Sequence, residues 1–500
     1  MLDDIKSALK NTIIYGIGNL STKLIGFILL PLYTEYLTVH DYGILGVLEV
    51  SSQVVITIFS FGLYQAFFRW YWDKRYINRQ RSVFFTCLVF SIITCVFVTL
   101  ALYYPCRTFS TVLFDNPDFE NVLRLMVLSA GLEIIIIIPN TLIRLQEKPF
   151  LFTISNIVRL LTSLTLTIYF VKFQQQQIMG IYKAQIIGQL VLLLLLSVYI
   201  GKNIKIRLEN SILRDMLRFS FPLMISNIAA LFLSISDRYI LSFTADFSDV
   251  GLYSLGSKMA NTITVFIVGS VSLALSPKLF KMMDEPDNKR FYSKVMTYYA
   301  YGLLFFVLGM SLFGKEVIKV LAYNINYWDA YKVIPILSFS IFFAALKDIA
   351  LIGLLIEKKT KTIALIIPAI TLLNIALNII FTRYLQYLGS AYAALISQII
   401  YVVVVFIFAQ RTYYVPYEHR KLLLMVSIAA ILYALASLSN DFSIAIRLLA
   451  KMMAIVSFPF ILYLFKFYEP VEIKTIKKVW NALKRPKEWK NLIKIITGPS

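Results

Sequence analysis

The sequence predicts an all-α, polytopic membrane protein of about fourteen transmembrane helices, and three observations predict it. The 500 residues are 59% hydrophobic and only 15% charged, whereas soluble domains are about half apolar and about a quarter charged. The mean hydropathy is +0.73. The apolar residues come in runs of about 20, the length one helix needs to cross the hydrocarbon core. The formal net charge of +21 is carried largely between those runs and alternates from link to link.

The runs follow in order. The first, 12–37, has a single lysine, Lys23, near its middle, and the second, 42–66, carries Glu49. The third, 82–104, encloses Cys87 and Cys95; the fourth, 119–142, holds Glu133 and Pro139. Arg159 lies inside the fifth, 151–171, and Lys183 near the start of the sixth, 179–200. The seventh, 219–243, has Pro222 near one end and Asp237 and Arg238 near the other; the eighth, 249–275, contains Lys258. The ninth is 293–314, and the tenth, 332–355, carries Pro335, Lys347 and Asp348. The eleventh, 361–381, contains Pro368, and the twelfth, 389–410, is free of charge. The thirteenth, 421–438, is the shortest; the fourteenth, 446–466, includes Lys451 and Pro459. The short links leave no room for a soluble domain.

Orientation comes from the links. Arg69, Lys74, Arg75, Arg79 and Arg81 crowd one, and Lys202, Lys205, Arg207, Arg214 and Arg218 another on the same side. The alternate links hold little beyond Arg107, Lys172, Lys315, Lys319 and Arg383. Basic loops stay in the cytoplasm, so both termini are expected there, in agreement with an even number of spans. The same reading assigns the net charge to a membrane topology rather than to nucleic acid. The polar start MLDDIKSALKN, followed by a run too long for a signal-peptide core, predicts no cleavable leader.

Three matches recur at nearly one offset. Asp41-Tyr42-Gly43 resembles Asp249-Val250-Gly251, Glu147-Lys148 resembles Glu357-Lys358, and the segment 180–189 resembles 389–398. Six crossings fill the interval, so the copies insert with the same orientation. That predicts two six-helix lobes in parallel repeat around a central cavity: 1–205 and 206–415, with two additional helices in 416–466. In the tail, 467–500, Ile476, Val479, Trp480 and Leu483 alternate with lysines at helical spacing, as in a basic amphipathic helix on an anionic leaflet.

The chemistry lies in the buried charges. Cys87, Cys95 and Cys106 form no CxxC pair, and His40 and His419 are the only histidines. No metal, no His-based triad and no cofactor is expected. Gly251–Lys258 imitates a phosphate-binding loop, but its lysine is one place late and it opens an apolar helix, so no nucleotide site is expected. Transport would then run on gradients or potential, with membrane carboxylates as coupling groups; Glu49, Asp237 and Asp348 are the candidates. Basic residues at several depths, Lys23, Arg159 and Lys258 foremost, suit a cationic path for phosphate or acidic sugar. The competing reading is structural pairing between helices. Arg124, Lys183 and Lys451, near span ends, are expected to reach the interface along their stems. Pro31, Pro139, Pro222, Pro335, Pro368 and Pro459 mark places for bends.

The run GNLSTKLIGFILLPLYTEYLTVHDYGILGVLEV resembles the first two helices of bacterial Wzx-type polysaccharide-biosynthesis flippases, of the multidrug/oligosaccharidyl-lipid/polysaccharide (MOP) superfamily. The stretch DRYILSFTADFSDVGLYSLGSKMANTITVFIVGSVSLALSPKLFK is similar to their seventh and eighth helices, and IRLQEKPFLFTISNIVRLLTSL to the join before their fifth. The pattern is distributed over most of residues 10–410. The resemblance implies a non-enzymatic flippase in the bacterial inner membrane. It would move an undecaprenyl-pyrophosphate-linked oligosaccharide, such as an O-antigen unit of lipopolysaccharide, to the outer leaflet by alternating access. A polysaccharide polymerase and a chain-length regulator are the partners it implies. By span and depth, the substrate-binding cations it implies are Lys23, Arg159, Lys258, Arg238 and Lys347. A multidrug or lipid II exporter of the same superfamily is the alternative, though a lysine- and arginine-biased cavity repels cationic drugs. A membrane polymerase or glycosyltransferase fits less well. The outer links hold Asp115, Asp118, Glu316 and Asp329 with no catalytic pairing.

Overall fold

A computed structural model of the protein describes residues 28–470 together with 473 and 474, and its regular elements there are all helices. Lys23 and the amphipathic pattern at 476–483 lie outside the described residues. The chain divides into two compact units, Met1–Pro277 with Gly314–Tyr413, and Lys278–Phe313 with Tyr414–Ser500.

In the first unit, α1 (Leu30–Tyr36) ends the first predicted span. Thr38 then caps α2 (Val39–Phe59): its hydroxyl accepts from the Asp41 N–H while Asp41 accepts from the Thr38 N–H. This reciprocal box satisfies two of the donors a helix start leaves open. The short α3 (Leu63–Tyr71) leads to α4 (Gln80–Tyr103), and α5 (Cys106–Phe114) to α6 (Glu120–Leu145). A tight turn joins α6 to α7 (Pro149–Ile168), which a π-helical turn, Tyr169–Phe173, extends before α8 (Gln177–Asn203). The 35-residue α9 (Asn210–Thr244) follows. Next come α10 (Phe247–Ile263), a second π-turn at Thr264–Val268, and α11 (Gly269–Lys281).

Beyond α12 (Asn288–Leu321) lie α13 (Val333–Ala350), the short α14 (Ile352–Ile356) and α15 (Thr360–Thr412). Helix α15 is two helices interrupted at Gln386, whose φ of 50° and ψ of −132° no helix accommodates. That break falls where the sequence separates the eleventh and twelfth spans. The predicted spans from the second onward fall on helical segments, 42–66 across the break between α2 and α3, and ten helical stretches among the described residues, against the fourteen spans expected, are long and apolar enough to cross a membrane. The prolines do not interrupt their helices: Pro139, Pro222, Pro368 and Pro459 all lie inside continuous ones. The interruptions are the π-turns and Gln386.

The repeat has a geometric counterpart. A Cβ on Gly43 would lie 1.9 Å from the carbonyl oxygen of Phe247, and a Cβ on Gly251 2.2 Å from that of Val39. Each glycine of the matched pair thus admits the backbone at the start of the other's helix, the reciprocal contact that a two-fold relation between α2 and α10 produces. Nearby, Tyr327 donates from its hydroxyl to the carbonyls of Leu37 and Thr38 at 3.0 and 2.8 Å.

In the second unit, α16 (His419–Ser437) and α17 (Ile444–Leu464) pack together. Lys294 and Lys421 both bind Glu418, at 2.8 and 2.9 Å, and Lys294 also binds Glu469. Thr297 donates to Glu418 at 2.8 Å. Burial pushes the Glu418 carboxyl up, but the hydrogen bonds from Lys294, Lys421 and Thr297 outweigh it and hold the group down to about 2. One expectation fails here: Lys451 is 1% exposed, packed in protein instead of reaching the interface. Its face of α17 is turned inward with Ala454, Phe458 and Leu462, so its stem has no open surface to follow. Arg124, by contrast, pairs with Glu120 and lies over the Tyr103 ring, and Lys183 donates to Gln176 at 2.9 Å.

Candidate functional site

The polar residues of α2, α6 and α7 recur at helical spacing and therefore share faces. Glu49 and Gln53 lie on one face of α2; Glu133, Asn140 and Arg144 on α6; Asn156, Arg159 and Ser163 on α7. These faces, with Tyr33, Tyr182 and Gln185, line a cavity of about 560 Å³ inside the first unit. Among the described residues its walls come from 29–185, within the stretch expected to form the first lobe, rather than from both expected lobes.

Two ion pairs mark the site. Arg159 donates through Nη1 and Nη2 to the two oxygens of Glu133, at 3.2 and 2.6 Å. This two-pronged geometry is the strongest that arginine offers a planar anion. Gln189 adds a third bond, Nε2 to Glu133 Oε2 at 2.9 Å. Lys258 donates to Glu49 at 2.9 Å, with its ammonium 5.5 Å from the Tyr42 ring centroid. Glu49 and Lys258 are 209 positions apart, the offset of the repeat. Equivalent positions therefore meet, and here they carry opposite charge. Arg238, half-buried, acts on Glu49 through space.

Asp237 has a different environment. It is 6% exposed. Its Oδ2 accepts from the Tyr253 hydroxyl and its Oδ1 from Asn378 Nδ2, both at 2.6 Å. Asn374 continues the network to Ser397 at 3.0 Å and to Ser236 at 3.2 Å. The oxygen Oδ1 of Asn378 and the hydroxyl of Ser390 are buried without a recorded partner. A buried carboxylate beside the spare Asn378 oxygen suits a proton or a small hard cation.

The predicted residues are thus partly assembled. Arg159 lines the cavity, as does Glu49, which holds Lys258. Lys347 and Asp348 pair with each other at 2.9 Å, and Lys347 lies over the Tyr401 ring, outside that lining. Glu133, Asn140, Arg144, Asn156 and Gln185 were not among the predicted site residues. The signal for the first four was the polar face on α6 and α7; Gln185 lies on α8.

Residues 8–283 match the family described as polysaccharide biosynthesis protein. This chain belongs to that family. Among solved structures it is similar to the lipid II flippase MurJ in an inward closed conformation. The TM-score is 0.70 at 14% identity, over 91% of this chain and 100% of that one. It is also similar to an inward-facing multidrug resistance MATE family transporter of the MOP superfamily, with a TM-score of 0.64 at 12% identity, over 78% of this chain and 94% of that one. An uncharacterized membrane protein of Haemophilus influenzae is 24% identical over 289 residues, 57% of this chain and 68% of that protein. The chain therefore shares the fold of these two structures, a multi-pass membrane architecture. At these identities the solved structures establish the fold and not the cargo.

Proposed function

We propose that the protein flips an undecaprenyl-pyrophosphate-linked oligosaccharide from the cytoplasmic to the outer leaflet of the bacterial inner membrane, with both termini in the cytoplasm. The observation that carries this reading is the cavity: a bidentate arginine, a second basic group in Arg144 and a set of side-chain amides within one family fold. A pyrophosphate needs cations, and hydroxyl-rich sugars need groups that both donate and accept, as Asn140, Asn156, Gln53 and Gln185 do. The prenyl tail needs neither and stays in lipid. Arg159 is assigned to the pyrophosphate, with Lys258 and Arg238 further along the path; Lys347 is a peripheral cation, and Lys23, outside the described residues, is a candidate from the sequence alone. Of the three carboxylates proposed for ion coupling, Asp237 fits best, because Glu49 and Asp348 each have a cation. Alternating access would separate the helices that Gly43 and Gly251 bring together.

The reading is tested in cells lacking the gene. Lipid-linked sugar accumulating in the cytoplasmic leaflet, with loss of surface polysaccharide, supports it. Normal surface polysaccharide with drug hypersensitivity overturns it in favour of a drug exporter.

A further inference from the structure

The two oxygens of Glu133 are unequal. Oε2 accepts from both Arg159 Nη2 and Gln189 Nε2, whereas the recorded bond of Oε1 is to Arg159 Nη1. Gln189 is itself anchored, donating to the Ser129 carbonyl at 3.1 Å and accepting from the Ser129 hydroxyl at 3.2 Å. If Arg159 turns away, Oε2 keeps a neutral partner and Oε1 keeps none among the described residues. The guanidinium edge that Glu133 occupies is also the edge a phosphate engages, and two anions cannot share it. A phosphate on Arg159 leaves Glu133 half-buried beside a second negative charge. Both burial and like charge favour the neutral acid.

We infer that Glu133 is an exchangeable internal counter-ion: a phosphate-bearing substrate displaces it from Arg159, and Glu133 then takes up one proton on Oε1. This inference rests on the flippase reading. The proton comes from solution, carried by hydronium or buffer acid: its bond to that carrier breaks as the Oε1–H bond forms, and the neutral carrier returns to solvent. When the phosphate departs, Arg159 returns to the carboxylate and the proton leaves. Binding is thereby linked to proton uptake and weakens as pH rises. The other groups around Glu133 do not replace it in this role. Glu49, across the cavity on α2, has Lys258. Arg144, farther along α6, remains cationic. Tyr33 and Tyr182 are neutral phenols on α1 and α8. Cys95 of α4 lies behind α6, against Gly131.

The test is titration calorimetry of the full chain in detergent with farnesyl pyrophosphate. Two buffers of different ionisation enthalpy give the proton count, between about pH 5.5 and pH 7.5. The probe's own protonation is common to all variants and cancels in their difference. The wild type should take up about one proton more than Glu133→Gln. Glu133→Gln should bind the probe more tightly at the upper pH and with a flattened pH profile, since Arg159 no longer has a competitor. Equal proton counts in the two proteins overturn the inference and leave the flippase reading standing. If Glu133→Gln does not fold, Glu133→Asp decides: it keeps the uptake if the inference holds, and its failure to take up a proton on binding overturns it. If the wild type does not bind the probe, or if Arg159→Ala binds it equally well, the flippase reading of this cavity fails first and the inference falls with it.

Discussion

Two sites in the first unit, one in each half, treat buried charge in opposite ways. In the first half, Arg159 and Glu133 face a cavity and neutralise each other through a two-pronged ion pair, the contact that the proposed anion would break. In the second, Asp237 is closed in by Tyr253 and Asn378, neutral donors that no substrate reaches through that cavity. Charge at membrane depth is costly in either place. A cation–carboxylate pair lowers that cost by Coulomb attraction and stays exchangeable. A carboxylate among hydroxyls and amides lowers it by hydrogen bonding, and its charge responds to a proton or small cation. The contrast separates residues suited to meeting a large anion from one suited to meeting an ion.

The largest expected effect breaks the frame both regions share. Gly43→Val would drive a side chain into the Phe247 backbone, and membrane abundance on immunoblots should fall to background. Asp237→Ala leaves the buried Tyr253 hydroxyl without its acceptor, costing about 1–3 kcal/mol, while Asn378 Nδ2 keeps its 3.3 Å bonds to Asn374. A lower midpoint of thermal unfolding in detergent checks this. Asp237→Asn should fold better yet lose ion-dependent transport, and retention of that dependence would break the comparison. Arg159→Ala should weaken pyrophosphate binding roughly 10- to 100-fold, the worth of one charged hydrogen-bonding group, with abundance retained. Arg159→Lys should lose less, because a lysine keeps the charge but not the fork.

The smallest effect is a control in the second unit. Glu418 is held down to about 2 from an ordinary 4.5, so its carboxylate contributes stability above pH 4.5. That contribution is lost as pH falls toward 2. Solvent screening keeps it under about 1 kcal/mol. Unfolding midpoints of wild type and Glu418→Gln should therefore differ by a constant amount above the usual carboxylate range and converge in acid, without any change in pyrophosphate binding.

The membrane class, the spans and the identity of the buried charges were determined by the sequence itself, because hydrophobic length and the cost of a charge in hydrocarbon are local properties of the chain. The matched glycines Gly43 and Gly251 were legible too, though not that each would meet the backbone at the start of the other's helix. Partners were not. Glu133 and Arg159 lie 26 positions apart on different helices, and nothing in either span says which face meets which. The polar faces of α6 and α7 were readable, but not that they close around one cavity. Glu49 and Lys258 were read as separate candidates for coupling and for substrate. Only the packing of α2 against α10 makes them one pair, because contacts between helices depend on rotation and depth, which the hydrophobic pattern leaves open. Asp237 and Lys451 show the same division: that a charge is buried follows from its span, but whether it meets a hydroxyl, a carboxylate or lipid headgroups is decided by the neighbouring helix.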